Sequence, residues 1–81
     1  MSRKEKLLAR LLSLPSDFSW DEAVRLLKQC NFEQLNNSGS RRKFRHKDGV
    51  KLSIHEPHPE PILKNYALKD MIDALQNSGE L

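Results

Sequence analysis

The stretch Arg41-Arg42-Lys43-Phe44-Arg45-His46-Lys47-Asp48-Gly49-Val50-Lys51-Leu52-Ser53-Ile54-His55 decides the fold. Two alternating runs flank a turn signal, the pattern of a β-hairpin. A two-residue Asp48-Gly49 loop would set Lys47 against Val50 and Phe44 against Ser53, an apolar–polar mismatch. A three-residue loop, Lys47-Asp48-Gly49, with Gly49 at positive φ, sets His46 against Val50 instead. Phe44 then faces Leu52 and Arg42 faces Ile54. The apolar face normally fixes register, so this second pairing is expected. On the opposite face Arg41 meets His55, Lys43 meets Ser53 and Arg45 meets Lys51. Like charges directly opposed destabilise a bare hairpin, and such a face gains when it meets phosphate.

Charge is concentrated here. From Ser40 to Lys51 there are six basic residues and one acid, while the whole chain carries only +3, so the remainder is net acidic. A concentrated basic patch is the electrostatic footprint of a polyanion binder, with Ser40, Arg41, Lys43, Arg45, Lys47 and Lys51 as the candidate nucleic-acid contacts. The plainer alternative is a solvated outer face. With Phe44 turned inward, few aromatics are left to stack bases. If the polyanion is RNA, recognition is therefore expected to rest on backbone shape and the 2′-OH.

Upstream, Leu7, Leu8, Leu11, Leu12 and Leu14 form a helical stripe ended by Pro15. This stripe can pack internally, dock a partner or join two copies into a homodimer, and spacing does not separate these uses. Ser19-Trp20-Asp21-Glu22 reads as a capping box with Phe18 at the staple position. Ala23, Val24, Leu26, Leu27 and Cys30 make the buried face of a second helix, with Trp20 at its core or rim and Asn31 at its end. Phe32-Glu33-Gln34-Leu35 is a weak strand, and Asn36-Asn37-Ser38-Gly39 is a turn. Beyond the hairpin, Pro57, Pro59 and Pro61 deny the backbone donors a sheet needs. The strand gives way to a stiff extended arm that carries His58. Asn65 is the expected cap of a last helix built on Leu68, Met71, Ile72 and Leu75, with Gly79 as its stop.

The order is thus helix, helix, three strands, helix. The fold class is α+β: an α-β-β-β-α unit over residues 18–81, with an additional N-terminal helix in residues 1–15. Two helices cover one face of a three-stranded antiparallel sheet and leave the other open. At 81 residues the chain can bury a small core but not a deep substrate cavity. Its one cysteine excludes an internal disulfide and suits a reducing compartment. The basic start with Leu7 and Leu8 looks superficially like a signal peptide. Arg10 breaks the apolar run and no small-residue cleavage site follows, so the cytoplasm is the default. Nothing approaches a membrane span.

The run from Trp20 to Leu81 resembles the HicA toxins, small ribonuclease toxins with a double-stranded-RNA-binding-domain-like fold. The residues that carry the likeness are Gly39-Ser40-Arg41-Arg42-Lys43-Phe44-Arg45-His46-Lys47-Asp48-Gly49, the strand to Ile54, His58 and the closing helix. The resemblance implies an mRNA-cleaving toxin of a type II toxin–antitoxin system, neutralised by a cognate HicB-like antitoxin. It also implies a catalytic His after Gly-Ser. Here that position is Arg41, and an arginine is not a general base at neutral pH. It can hold a phosphate and stabilise charge on it. Either activity is lost, leaving an RNA-binding module of the same fold, or another residue supplies the base. His55, opposite Arg41, suits the base, and His58 suits the acid or an orienting role. His46 pairs with Val50 on the inner face and reads as structural. A metal set of His55 and His58 with His46 or Cys30 has poor ligand spacing, so neither a metal nor another cofactor is expected.

Overall fold

In the structure, a computed structural model that describes residues 3–35, 41–57 and 60–81, the hairpin takes the register expected from its apolar face. Strands β2 (Arg41–His46) and β3 (Lys51–His55) are antiparallel, with Phe44 opposite Leu52, Arg42 opposite Ile54 and Arg41 opposite His55. Gly49 has φ +96°, where a side chain would be strained. The loop closes through the His46 N–H to the Val50 carbonyl at 2.7 Å and the Gly49 N–H to the His46 carbonyl at 2.8 Å. Strand β1 (Phe32–Leu35) adds to the other side of β2, giving the sheet order β1-β2-β3.

Helix α2 (Trp20–Gln29) packs against β1, and α3 (Asn65–Asn77) against β3. Both lie on the face that buries Phe32, Phe44, Leu52 and Ile54. Helix α1 (Arg3–Leu12) lies across α2 and α3. The arrangement is the α+β, double-stranded-RNA-binding-domain-like fold with an extra N-terminal helix.

The leucine stripe of α1 serves the chain's own core. Leu11 is fully buried, and Leu7, Leu8 and Leu14 pack against the core, while Leu12 is half-exposed. The helix ends in a turn where Leu14 takes φ +50° directly before Pro15. Arg10 fixes α1 to the next helix. Its Nε and Nη2 donate to Glu22 at 2.6 and 3.2 Å, and Nη2 also donates to the Asp17 carbonyl. Glu22 closes the capping box as well, exchanging hydrogen bonds with Ser19. The Arg10 hydrogen bond, with lesser help from Ser19, holds the Glu22 carboxyl below its ordinary pKa against the opposing effect of burial.

Asn31 follows the Cys30 cap of α2 with φ +67°, the left-handed position at which asparagine ends helices. Burial raises the Cys30 thiol pKa, as befits a small core side chain. Trp20 is half-buried, with its ring 6.1 Å from that of Phe44.

The expected Asn65 cap is a correction. Lys64 occupies the cap position of α3 in extended conformation, no side-chain hydrogen bond caps the helix, and Asn65 is its first residue. Lysine has no acceptor to offer. The entry is set instead by the arm, which returns to the start of α2. Trp20 N–H donates to the Pro61 carbonyl and Leu63 N–H to the Phe18 carbonyl, both at 2.8 Å, and Leu63 is buried. The far end of α3 closes as anticipated. Gly79 is left-handed at φ +80°, Gly79 N–H bonds the Gln76 carbonyl and Glu80 N–H bonds the Leu75 carbonyl. This is a Schellman turn, and it folds Glu80 back against the body of the protein.

Candidate nucleic-acid interface

Alternation along the strands puts Arg41, Lys43 and Arg45 of β2, and Lys51, Ser53 and His55 of β3, on the face away from the helices, where all are exposed. Lys47 is exposed in the turn, beyond the Arg45–Lys51 rung. Residues on one face of a strand recur about every 6.7 Å, so these cations form a ladder along β2. Ser40 and His58 lie outside the described residues. The structure therefore brings together His55, Arg41, Lys43, Arg45 and Lys51.

Arg41 and His55 are directly opposed on the last rung between β2 and β3. Cross-strand partners have Cβ atoms roughly 5 Å apart, so both can reach one phosphate. On the other face Arg42 of β2 and Glu56, just past β3, pair at this end. Arg42 Nε donates to Glu56 Oε1 at 3.2 Å, a part-buried ion pair diagonal to the Arg42–Ile54 rung.

The electrostatics of the two faces differ. Lys4, Arg10 and Arg42 each meet a carboxylate. Among the described residues, Arg41, Lys43, Arg45, Lys47 and Lys51 form no ion pair, even where Arg45 stands directly across from Lys51. A surface of this kind has a large favourable interaction in reserve for a polyanion.

Strand β1 adds two groups that the reading of the hairpin alone missed. Glu33 stands opposite Arg45, and half-buried Leu35 opposite Lys43. The alternation Phe32-Glu33-Gln34-Leu35 carries that signal once β1 is known to pair with β2. Among the described residues no cluster of three or more His, Cys, Asp or Glu side chains has the geometry to hold a metal ion. No described helix is long and apolar enough to cross a membrane.

His46 is buried, as its inward position implies, and its ring stacks edge-on against Phe32 with centroids 5.1 Å apart. The Asp48 N–H points at Nδ1 at 3.1 Å, making Nδ1 an acceptor, so Nε2 carries the proton donated to Glu80 at 2.9 Å. Lys4 Nζ and Asn31 Nδ2 also donate to Glu80, at 3.1 and 3.2 Å. The His46 hydrogen bond first, then those from Asn31 and Lys4, bring the Glu80 carboxyl down to about 2, against the opposing effect of burial. One carboxylate thus ties α1, the end of α2, the turn end of the hairpin and the turn after α3. Gly79 signals the turn, but nothing local in the sequence names the partners.

The sequence model of the HicA toxins of bacterial toxin–antitoxin systems matches residues 20–77, from the first residue of α2 to the last of α3. The chain belongs to the HicA toxin family. The match includes the three strands and the Arg41–His55 rung, while α1 lies outside it. No curated protein and no solved structure matches the chain. As a HicA toxin it is the toxin of a toxin–antitoxin pair, and the family implies a cognate antitoxin as its partner. Within this toxin, Arg41 follows Gly39-Ser40 in the matched segment.

Proposed function

We propose that this HicA toxin binds mRNA on the open face of its sheet and cleaves it without a metal ion, in the cytoplasm, until a HicB-like antitoxin covers the same face. The observation that carries the reading is the Arg41–His55 rung at the end of a ladder of cations that form no ion pair among the described residues. His55 takes the proton of a ribose 2′-OH, and the 2′-oxygen attacks the adjacent phosphorus. Arg41 holds the non-bridging oxygens and offsets the charge that builds on them. The bond to the 5′-oxygen breaks, leaving a 2′,3′-cyclic phosphate. His58 gives that oxygen its proton or orients the group. Ser40, Lys43, Arg45, Lys47 and Lys51 hold the neighbouring backbone.

A second reading has its own support in Arg41 itself. With an arginine where the family has its histidine, the chain can keep the RNA-binding face and lack the chemistry. The deciding experiment incubates purified protein and a partly structured RNA with excess chelator, beside His55→Ala and Arg41→Ala. Cleavage that ends in cyclic phosphate and is lost in His55→Ala supports the enzyme. Salt-sensitive binding with intact RNA supports the binding module. Absence of both binding and cleavage refutes the RNA reading altogether.

A further inference from the structure

A shallow depression opens on the outer face beside the Arg41–His55 rung. Leu35, Lys43, Lys51 and Ser53 border it, with the β2 and β3 segments at Phe44 and Leu52 beneath. Leu35 is half-buried, and the two lysines and Ser53 are exposed. Three chemistries meet there: an apolar wall, two ammonium groups and one hydroxyl. A purely apolar ligand would leave the lysines unused and partly desolvated. A bare inorganic anion would leave Leu35 facing water. A nucleotide satisfies all three, with an apolar base face for Leu35, phosphates for Lys43 and Lys51, and a polar base edge for Ser53, whose hydroxyl both donates and accepts.

The position fits the same ligand. Ser53 precedes His55 by two residues on β3, and Lys43 follows Arg41 by two on β2. The depression therefore begins one same-face step, about 6.7 Å, from that rung and extends to Lys51 one step further. This is within reach of the base on a ribose whose phosphate the rung holds. We infer that this depression is a nucleobase subsite, with Leu35 as its apolar wall and Ser53 as the group that meets the base edge. The inference rests on the RNA reading above and adds where a base sits and what it touches. It also gives the sheet a way to hold a base without a surface aromatic.

The test compares two probes of equal length and charge, a 2′-O-methyl oligouridylate hexamer and its 2′-O-methyl abasic counterpart, neither of which offers a 2′-OH for cleavage, by fluorescence anisotropy. The protein is tested as wild type, as Leu35→Ala/Ser53→Ala, and as Lys43→Ala, with thermal unfolding confirming that each is folded. Wild type is expected to bind the base-bearing probe several-fold more tightly. The double variant brings that ratio to near unity with its salt dependence unchanged. Lys43→Ala weakens both probes alike and lowers the slope of log affinity against log salt by about 0.7. A wild-type ratio of unity, or a ratio that survives the double variant, overturns the subsite while leaving RNA binding intact. Failure of wild type to bind either probe overturns the subsite and the RNA reading together.

Discussion

Replacing Glu80 with glutamine tests whether one carboxylate holds the toxin's layers to the hairpin. Glu80 accepts from His46, Asn31 and Lys4, and its side chain is only 12% exposed. Its pKa of about 2 in the folded protein, against an ordinary 4.5, is worth roughly 3 kcal/mol of stability at neutral pH. The folded value is the lower one, so this contribution is complete above about 4.5. It fades as pH falls through the folded pKa and is gone below about 2. A protonated glutamate and the glutamine that replaces it are nearly isosteric and equally uncharged. The two proteins should therefore converge in acid, whatever else titrates, Glu22 included. Urea unfolding is the assay, run on wild type and Glu80→Gln from pH 7 down to pH 2. Glutamine is expected to cost about 2–3 kcal/mol at pH 7, since its amide oxygen still accepts neutral hydrogen bonds. For a domain of this size that lowers Tm by about 10 °C or more. A gap that stays constant from pH 7 to pH 2, or no gap at pH 7, would refute the reasoning.

Two further outcomes follow from the cap and the basic face. Ser19→Ala removes the oxygen that accepts from the Glu22 N–H and should cost about 1 kcal/mol in urea unfolding, with RNA affinity unchanged. If Arg41, Lys43, Arg45, Lys47 and Lys51 each meet a phosphate of single-stranded RNA, log affinity should fall against log salt with a slope of about −3.5, and Arg45→Ala should make it shallower by about 0.7. An anisotropy titration at four salt concentrations reads both values.

The parts of this structure legible in the sequence are those governed by short-range rules. The hairpin register followed from matching Phe44 with Leu52 and Arg42 with Ile54, and the loop followed from Gly49. The capping box at Ser19 and the stop at Gly79 are likewise local patterns that the structure repeats. Long-range contacts were not legible. Asn65 has the chemistry of a cap, but the arm's return to Phe18 and Trp20 starts α3 one position earlier. The leucine stripe of α1 left internal packing and outward docking equally open, because the answer lies in contacts with elements far along the chain. Glu80 reads as an unremarkable acid after a glycine, yet its partners Lys4 and His46 stand 76 and 34 residues away. For the site, the alternation placed Arg41, Lys43, Arg45, Lys51 and His55 on one face, but not the groups that β1 adds beside them.

A β2–β3 face this rich in cations is offset by the burial on the other face. Arg45 opposite Lys51 costs on the order of 0.2–1 kcal/mol, as like charges across a rung do. Burying Phe44, Leu52 and Ile54 contributes about 1.5–3 kcal/mol each. The hairpin therefore tolerates its charge without needing the carboxylates that accompany Lys4, Arg10 and Arg42. That independence gives Arg41 its significance. A histidine at this position would bring a proton carrier and little charge. An arginine brings a permanent cation and no proton transfer, which extends the ladder by one rung and leaves any proton chemistry to the histidine across from it. On this argument His55→Ala and Arg41→Ala should fail differently. His55→Ala should lose cleavage while keeping the salt slope of binding. Arg41→Ala should lower both cleavage and the slope. Identical behaviour of the two variants would mean that the rung does not divide the work between proton transfer and charge.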